Sequence, residues 1–202
     1  EKRIALPVVG LLPVLVVTLA FVLPRGDSVE DVPEIALVMK SLANEFFLTM
    51  EEEARAHSAL SEEPYRLIPN GIRNESDISG QVRIVENMIA QNVDAIIIAP
   101  ADSRALIPVC EKAIEAGIVV INIDNRFDRA TLQARSLSIP FVGPDNREGA
   151  RAVGAYLAEH LQEGDGAAII EGIPTAFNSQ ERRKGFEHAL TSRGIDIVAR
   201  RS

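Results

Sequence analysis

Short, continuous apolar runs alternate along this chain with longer stretches whose apolar residues recur every third or fourth position. The continuous runs are typical of strands buried on both faces of a parallel sheet, and the recurring spacing is typical of amphipathic helices. The predicted strands cover residues 35–39, 65–68, 94–99, 119–123, 138–142, 167–170 and 196–199. Strands that alternate with helices in this way predict an α/β fold with doubly wound parallel sheets.

Predicted helices fill the intervals between these strands. Their apolar stripes are Phe46, Phe47, Met50 and Ala54; Ile78, Val82, Val85 and Ile89; Ala150, Val153, Leu157 and Leu161; and Phe186 with Leu190. Asp77 or Ser79 is expected to cap the second helix, and Ser103 the third. Pro108 falls in the first turn of that third helix, where its missing N–H costs least, and Gly117 ends it.

The amino-terminal segment has the layout of an export signal. Glu1-Lys-Arg precedes a long apolar run at 4–23, and a polar linker occupies 24–33. Such a run is typical of a signal peptide, which directs secretion and is then cleaved. If it is not cleaved, it is long enough to span a bilayer as an anchor. We therefore assign residues 1–30 to a signal peptide or membrane anchor plus linker, with both options open. Because the chain begins with Glu, we expect its start to be missing.

Composition and charge narrow the function classes. The 202 residues are 47% hydrophobic and 25% charged, as in ordinary globular proteins. The net charge is −8, and no cluster of Lys and Arg occurs, so nucleic-acid binding is disfavoured. The single cysteine, Cys110, excludes an intrachain disulfide and is expected to be a buried, small apolar residue.

Polar side chains gather where the predicted strands end. In an open α/β sheet, ligands bind outside the carboxyl ends of the strands. The residues concerned are Lys40, Ser41 and Asn44; Asp102 and Ser103; Asp124, Asn125 and Arg126; Asp145 and Asn146; and Thr175, Phe177 and Asn178. Carboxylate, amide and guanidinium groups can bridge neighbouring hydroxyls of a sugar, and an aromatic ring packs on its C–H face. The pattern favours a site for a small polar molecule, such as a sugar.

Several of these residues also have a structural explanation. Asp102, Ser103 and Asp145 are as well suited to capping helices as to contacting a ligand, and Asn44 is a further candidate cap. Asp124 has no predicted helix immediately after it, which favours a ligand contact. Adjacent helical residues point about 100° apart, so we expect Phe46 to face the cleft and Phe47 to be at least partly buried.

The sequence lacks the motifs of several enzymatic and cofactor-binding sites. No glycine-rich fingerprint follows the first strand, and neither a phosphate-binding loop nor a nucleophile elbow is present. His57, His160 and His188 fall on separate predicted helices, and no His/Cys group has metal-ligand spacing. We therefore predict a protein that is not an enzyme and that uses neither cofactor nor metal.

Five segments in this order resemble one known family. They are EIALVMKSLANEFF (34–47), VDAIIIAPADS (93–103), VINIDNRFD (120–128), FVGPDNREGARAVGAYLA (141–158) and EGIP with ERRKGFEHAL (171–190). The set resembles the type I periplasmic sugar-binding proteins of ABC importers, the group that includes ribose-binding proteins. The resemblance implies two α/β lobes that enclose the ligand: an amino-terminal lobe at 31–142 and a partial carboxyl-terminal lobe at 143–202. Family members continue further, which implies that this chain is a fragment with an incomplete second lobe.

The resemblance also implies roles for residues. Asn44, Phe46 and Phe47 match first-lobe contacts, the two rings stacking on the sugar, and Asp124 matches the acid that accepts its hydroxyls. The ribose group has an arginine directly after that acid, where Asn125 and then Arg126 stand here, and a serine at the position of Lys40. Its second-lobe arginine aligns with Gln180. The predicted ligand-binding residues are Lys40, Asn44, Phe46, Phe47, Asp124, Asn125, Arg126, Phe177, Asn178 and Arg182. Because the chain differs from the ribose group at these positions, the ligand could be a pentose, a hexose or a polyol.

The function implied is that of an extracytoplasmic solute-binding protein. We expect it to capture a monosaccharide or polyol and to deliver it to the permease of an ABC importer, in the periplasm or at the cell exterior. Any membrane contact would be made through the amino-terminal segment. The alternative is the ligand-binding module of a membrane-bound sugar sensor. Sugar-responsive repressors share the two-lobe core but need a helix-turn-helix where the apolar run stands.

Overall fold

The structure is a computed structural model, and it describes residues 32–202. The apolar run at 4–23, with its predicted export or anchor role, lies outside the described residues. The strands are β1 Glu34–Ser41, β2 Arg66–Ile72, β3 Ala95–Ile98, β4 Val119–Ile123, β5 Phe141–Val142, β6 Gly166–Ile170 and β7 Asp196–Arg201. The helices are α1 Glu45–Leu60, α2 Ile78–Ala90, α3 Ile107–Glu115, α4 Arg129–Ala134, α5 Asn146–Ala158 and α6 Phe177–Thr191. Within 32–202, none of the helices has the length and apolar composition that a bilayer crossing needs.

All strand pairs are parallel, as predicted. β1 to β5 form one sheet in the order β2-β1-β3-β4-β5, and β6 pairs with β7 in a second sheet. We call β1 to β5 with α1 to α4 the first lobe, and α5 to β7 the second lobe. The chain leaves β1 toward β2 on one side and then returns to β3 on the other. This reversal places a crevice at the carboxyl ends of β1 and β3, where α/β proteins bind ligands.

The core of the first lobe lies on both faces of its sheet. In β1, Ala36 and Val38 pack toward α2 and α3, whereas Leu37 and Met39 pack toward α1. A strand covered on both sides has to be apolar without interruption, which explains its continuous run. Cys110 is buried in this core as predicted, and burial raises the pKa of its thiol to about 12.

Two predicted strands differ most from the structure, and one short helix was not predicted. β5 is limited to two residues because it pairs with β4 only through Asn122 and Ile123. β2 continues to Ile72, beyond the predicted end, and it tolerates Pro69 because it is an edge strand. The short helix α4 was not predicted. Asp128 caps it by accepting from the Thr131 N–H at 2.9 Å.

The predicted cap of α3 is wrong. Ser103 is separated from α3 by turns, and the residue before the helix, Leu106, makes no side-chain cap. Asp102 instead accepts from the N–H groups of Arg104 and Ala105, both at 2.8 Å. The other two predictions for α3 were correct, since Pro108 lies in its first turn and Gly117, at φ +87°, follows its last turn.

Close packing of α5 against α6 depends on a glycine. A Cβ atom at Gly185 would overlap the carbonyl oxygen of Arg147 and would lie 3.0 Å from the Arg151 nitrogen. Gly185→Ala has to push the helices apart, so we expect the free energy of unfolding to fall by about 2–3 kcal/mol in urea titrations. Gly149→Ala on α5 is the matched control. A Cβ there meets nothing within 4 Å, and alanine favours the helix by up to about 1 kcal/mol. Equal losses in both variants would contradict this account.

An ion-pair network also joins α5 to α6, with Glu181 at its centre. Glu181 receives two hydrogen bonds from the Arg147 guanidinium, at 2.6 and 3.0 Å, and one from Lys184 at 2.9 Å. Burial alone would raise the pKa of Glu181, but these bonds outweigh it and hold the pKa below its ordinary value. A carboxyl whose pKa is lower in the folded state stabilises the fold above its unfolded pKa of about 4.3. That contribution is lost as the pH falls through the folded pKa.

Glu181→Gln should therefore lower the free energy of unfolding by about 1 kcal/mol at neutral pH. The difference from the parent protein should shrink as the pH falls below about 4.3, because the parent then loses the same charge. Urea titrations at several pH values measure this difference in the free energy of unfolding. Glu148→Gln is the control, because Glu148 pairs only with Arg151 on an exposed helix face and should change little. A difference that stays constant down to acidic pH would contradict the assignment.

Candidate functional site

The carboxyl ends of β1 and β4 hold a buried pair of opposite charges. Lys40 is near the end of β1, and Asp124 directly follows β4; β3 runs between the two strands. Lys40 Nζ lies 3.3 Å from Asp124 Oδ2, and the two side chains are only 5% and 9% exposed. The pair therefore spans the end of β3, at the crevice that the topology creates.

Asp124 has two properties expected of a binding residue. Its φ is +54°, in the left-handed region that non-glycine residues rarely adopt. Its Oδ2 atom is buried and, among the described residues, makes no hydrogen bond, because the approach of Lys40 is not aligned as one. Buried carboxylate oxygens normally accept hydrogen bonds, so an unused acceptor here needs an explanation. A ligand hydroxyl that donates to Oδ2 provides one.

The loop after β1 positions a pair of aromatic rings. Asn44 caps α1 by accepting from the Phe46 N–H at 3.0 Å, which starts the helix at this point. Phe46 is 56% exposed and Phe47 is 3% exposed, so the predicted difference in exposure is confirmed. The rings meet edge to face with centroids 5.1 Å apart, and Lys40 Nζ lies 5.6 Å from the Phe47 centroid. Stacking of either ring on a sugar stays a prediction.

A cavity of about 850 Å³ lies between Lys40 and the second lobe. Its size is ordinary for a small-molecule site. Asn178 and Arg182 of α6 line it, so the structure brings three of the predicted residues together. Arg182 donates from Nε to Asn146 Oδ1 at 2.7 Å. The remaining wall is partly apolar, with Ile169 among its residues.

Glu75 is a cavity residue that the sequence prediction missed. It follows β2 and lines the same cavity as Lys40. Asn44 donates from Nδ2 to Glu75 Oε1 at 2.6 Å, so the Asn44 amide bonds to protein at both ends. Glu75 was missed because the sequence analysis ended this strand at 68, whereas β2 continues to Ile72. The loop that follows the strand therefore includes Glu75.

Seven of the ten predicted residues are not among those that line this cavity: Asn44, Phe46, Phe47, Asp124, Asn125, Arg126 and Phe177. Two of them, Asn125 and Arg126, are directed elsewhere. Asn125 is fully buried, and its amide donates to Pro100 O at 2.9 Å and accepts from the Asn178 N–H at 3.2 Å. The guanidinium of Arg126 lies 4.9 Å from the Phe141 ring centroid, at a separate cavity of about 210 Å³. The structure therefore gives Asn125 a hydrogen-bonding role between the lobes and directs Arg126 toward β5. Neither observation supports a direct ligand contact in this cleft.

The remaining strand-end residues serve mainly as caps. Asp145 caps α5 by accepting from two N–H groups of its first turn, both at 3.0 Å. Burial would raise the pKa of Asp102, but bonds from the Ala105 and Arg104 N–H groups and from the Thr175 side chain lower it below its ordinary value. Phe177 begins α6 half-buried, and its N–H bonds to the Ser103 hydroxyl at 2.9 Å.

Comparison with known proteins places this architecture in one family. The family model described as "periplasmic binding protein domain" matches residues 35–202. The D-ribose/D-allose-binding protein of Pseudomonas aeruginosa is 58% identical over 170 residues, which are 84% of this chain and 53% of that protein. The ribose import binding protein RbsB of Bacillus subtilis is 30% identical over 83% of this chain. The chain spans about half the length of the curated relatives that it matches.

Solved structures give the same result. An ABC transporter solute-binding protein from Burkholderia multivorans superposes with a TM-score of 0.83 at 53% identity, covering 85% of this chain and 60% of that one. A periplasmic solute-binding protein from Actinobacillus succinogenes, solved with bound D-allose, gives 0.76 at 38% identity, covering 84% and 58%. On the matched domain and its coverage of residues 35–202, the chain belongs to the periplasmic binding protein family.

Proposed function

We propose that this chain belongs to a sugar-capturing protein that closes two lobes on a monosaccharide. The observation that carries the proposal is Asp124. Its carboxylate is buried at the strand ends beside cavity-lining Lys40, and its Oδ2 has no hydrogen bond within the described residues. A hydroxyl donor satisfies such an acceptor without introducing a charge. The carboxylate needs no further cation, because Lys40 already neutralises it.

An aldose is the favoured ligand. The Pseudomonas aeruginosa relative is a D-ribose/D-allose-binding protein, and the Actinobacillus succinogenes structure holds D-allose. We propose that this protein binds D-allose or D-ribose. The lysine at position 40 adds a donor for ring or hydroxyl oxygens, and its carboxylate partner adds an acceptor, so the pair can serve two neighbouring hydroxyls.

The second lobe supplies the opposite wall of the proposed site. Arg182 and Asn178 line this wall from α6, and Glu75 supplies a second carboxylate from the first lobe. Phe46 is the exposed ring on which the C–H face of a sugar can stack. We propose lobe limits of 31–142 and 143–202, with the sugar enclosed between the lobes.

We propose periplasmic capture and delivery to an ABC importer. The family model is described as a periplasmic binding protein domain, the Bacillus subtilis relative is a ribose import binding protein, and the Burkholderia multivorans structure is an ABC transporter solute-binding protein. A sensor role is the less favoured alternative, because these transport proteins are the more similar relatives. Membrane tethering would depend on the apolar run at 4–23. We propose binding without catalysis, since the polar cluster joins a carboxylate to a lysine and offers no paired nucleophile and base.

Calorimetric titration of the protein, expressed from its complete coding sequence, tests the proposal. D-Allose and D-ribose are the first ligands, with D-arabinose and myo-inositol as alternatives and glycerol as the negative control. We expect a single site with a dissociation constant near or below about 1 µM, equivalent to about −8 kcal/mol. The bound sugar should also raise the melting temperature, because it binds only the folded state. A folded protein that binds none of these sugars or polyols would overturn the proposal.

A further inference from the structure

Helix α6 begins without a cap of its own. Its N-cap residue is Ala176, which makes no side-chain hydrogen bond. Four other helices of the described chain begin with side-chain caps, from Asn44, Asp77, Asp128 and Asp145. Unpaired N–H groups in the first turn of a buried helix end are costly, so the first turn of α6 requires acceptors from elsewhere.

Those acceptors come from the first lobe. The Phe177 N–H donates to Ser103 Oγ at 2.9 Å. The Asn178 N–H donates to Asn125 Oδ1 at 3.2 Å. Ser103 and Asn125 follow two adjacent strands, β3 and β4, and are 5% and 0% exposed. We call these two side chains and their bonds to α6 the inter-lobe cap.

The inter-lobe cap is oriented by a second set of bonds. Ser103 Oγ lies 3.3 Å from Asn125 Oδ1 and donates to it, and Asn125 Nδ2 donates to the Pro100 carbonyl at 2.9 Å. The amide is thus fixed with its oxygen toward α6. An aspartate in this place would set an acceptor against the Pro100 carbonyl, which explains why the residue is Asn.

We propose that Ser103 and Asn125 are positioning residues that set the lifetime of the sugar complex by capping α6 across the cleft. This inference rests on the proposed function. Separation of the lobes exposes both N–H groups and the Asn125 amide to water, so the inter-lobe cap favours the closed arrangement in which Asn178 and Arg182 face Lys40. The two side chains act without touching the sugar.

Ser103→Ala removes one acceptor with little change in shape. We expect the sugar to dissociate about five- to tenfold faster, with the association rate changed less than about twofold, because the closed complex loses a cap that the encounter complex does not need. Ser103→Thr, which keeps the hydroxyl, should restore the parent rate. Stopped-flow kinetics with D-allose or D-ribose, on protein from the complete coding sequence, measure both rates.

Hydrogen–deuterium exchange supplies a second readout. In Ser103→Ala, peptides that contain the Phe177 and Asn178 amides should exchange faster, and Ser103→Thr should reverse the change. Ser58→Ala is the matched control, because Ser58 donates to the Tyr65 carbonyl at 3.1 Å at the other end of the first-lobe sheet. It should alter neither exchange at α6 nor sugar release.

The outcomes separate this inference from the proposed function. Parent protein that binds no sugar would overturn the proposed function, while the exchange data would still decide whether the inter-lobe cap exists. Unchanged exchange at 177–178 in Ser103→Ala would overturn the inter-lobe cap. If exchange at 177–178 became faster but the sugar dissociated at the parent rate, the inter-lobe cap would not set the lifetime of the complex. An equal increase of the dissociation rate in Ser58→Ala would also overturn the proposal.

Discussion

Asp124→Asn should weaken sugar binding by about tenfold or more while the backbone fold is kept. The substitution preserves shape but replaces the charged acceptor, and a hydrogen bond to a charged group contributes about 1.5–3 kcal/mol, where about 1.4 kcal/mol is one decade in affinity. It also leaves Lys40, only 4% exposed, without its counter-ion. Because an unpaired buried charge is destabilising, the melting temperature should fall too. Calorimetry and thermal unfolding measure the two effects.

Two further variants separate affinity from stability. Asp124→Asn combined with Lys40→Met removes the stranded charge, so stability should recover in part while affinity stays low. Asp128→Asn is the matched control, because Asp128 caps α4 by accepting from Thr131 and is not paired with Lys40. Its affinity should remain within about twofold of the parent protein. Unchanged sugar affinity in folded Asp124→Asn would show that Asp124 is a structural residue.

Phe47→Ala should lower the free energy of unfolding by about 3–5 kcal/mol, the usual cost of emptying a buried aromatic site. Phe47 packs with Leu37, Met39 and Ala99 between α1 and the sheet. Phe46→Ala, one residue away, should cost less than about 1 kcal/mol because its ring is more than half exposed. Its effect should be on sugar affinity, by about three- to tenfold, through loss of stacking.

Urea titration and calorimetry on both variants test this division, and each variant is the control for the other. The prediction depends on adjacent helical residues facing different surroundings. Equal losses of stability with no change in affinity would make both rings core residues. Greater instability in Phe46→Ala than in Phe47→Ala would contradict the burial on which the argument rests.

The strands and most helices followed from the sequence because burial on two faces leaves a clear pattern. Val119–Ile123 was predicted at its observed limits, and Gly117 marked the end of α3 through its positive φ. Helix α4 was missed because six residues at 129–134 are too few for a periodic stripe. β5 was predicted too long because residues 138–140 are apolar in part but form no ladder with β4.

The candidate site was less predictable because its members meet only in three dimensions. The strand-end rule found Lys40 and Asp124, whose side chains meet across the carboxyl end of β3, the strand between β1 and β4. Glu75 was missed because β2 continues past its apolar run. Asn125 was predicted to contact the ligand because the sequence does not distinguish a buried structural amide from one that faces a ligand. Its role became visible only when α6 was placed across the cleft.

A crystal structure of the protein from its complete coding sequence, bound to D-allose or D-ribose, tests the central claim most directly. We expect the sugar between the lobes, with a hydroxyl within about 2.5–3.0 Å of Asp124 Oδ2, the atom that has no hydrogen bond within the described residues. Lys40 should contact an oxygen of the same sugar. A sugar bound elsewhere, or one that leaves Asp124 Oδ2 without a hydroxyl, would contradict the account.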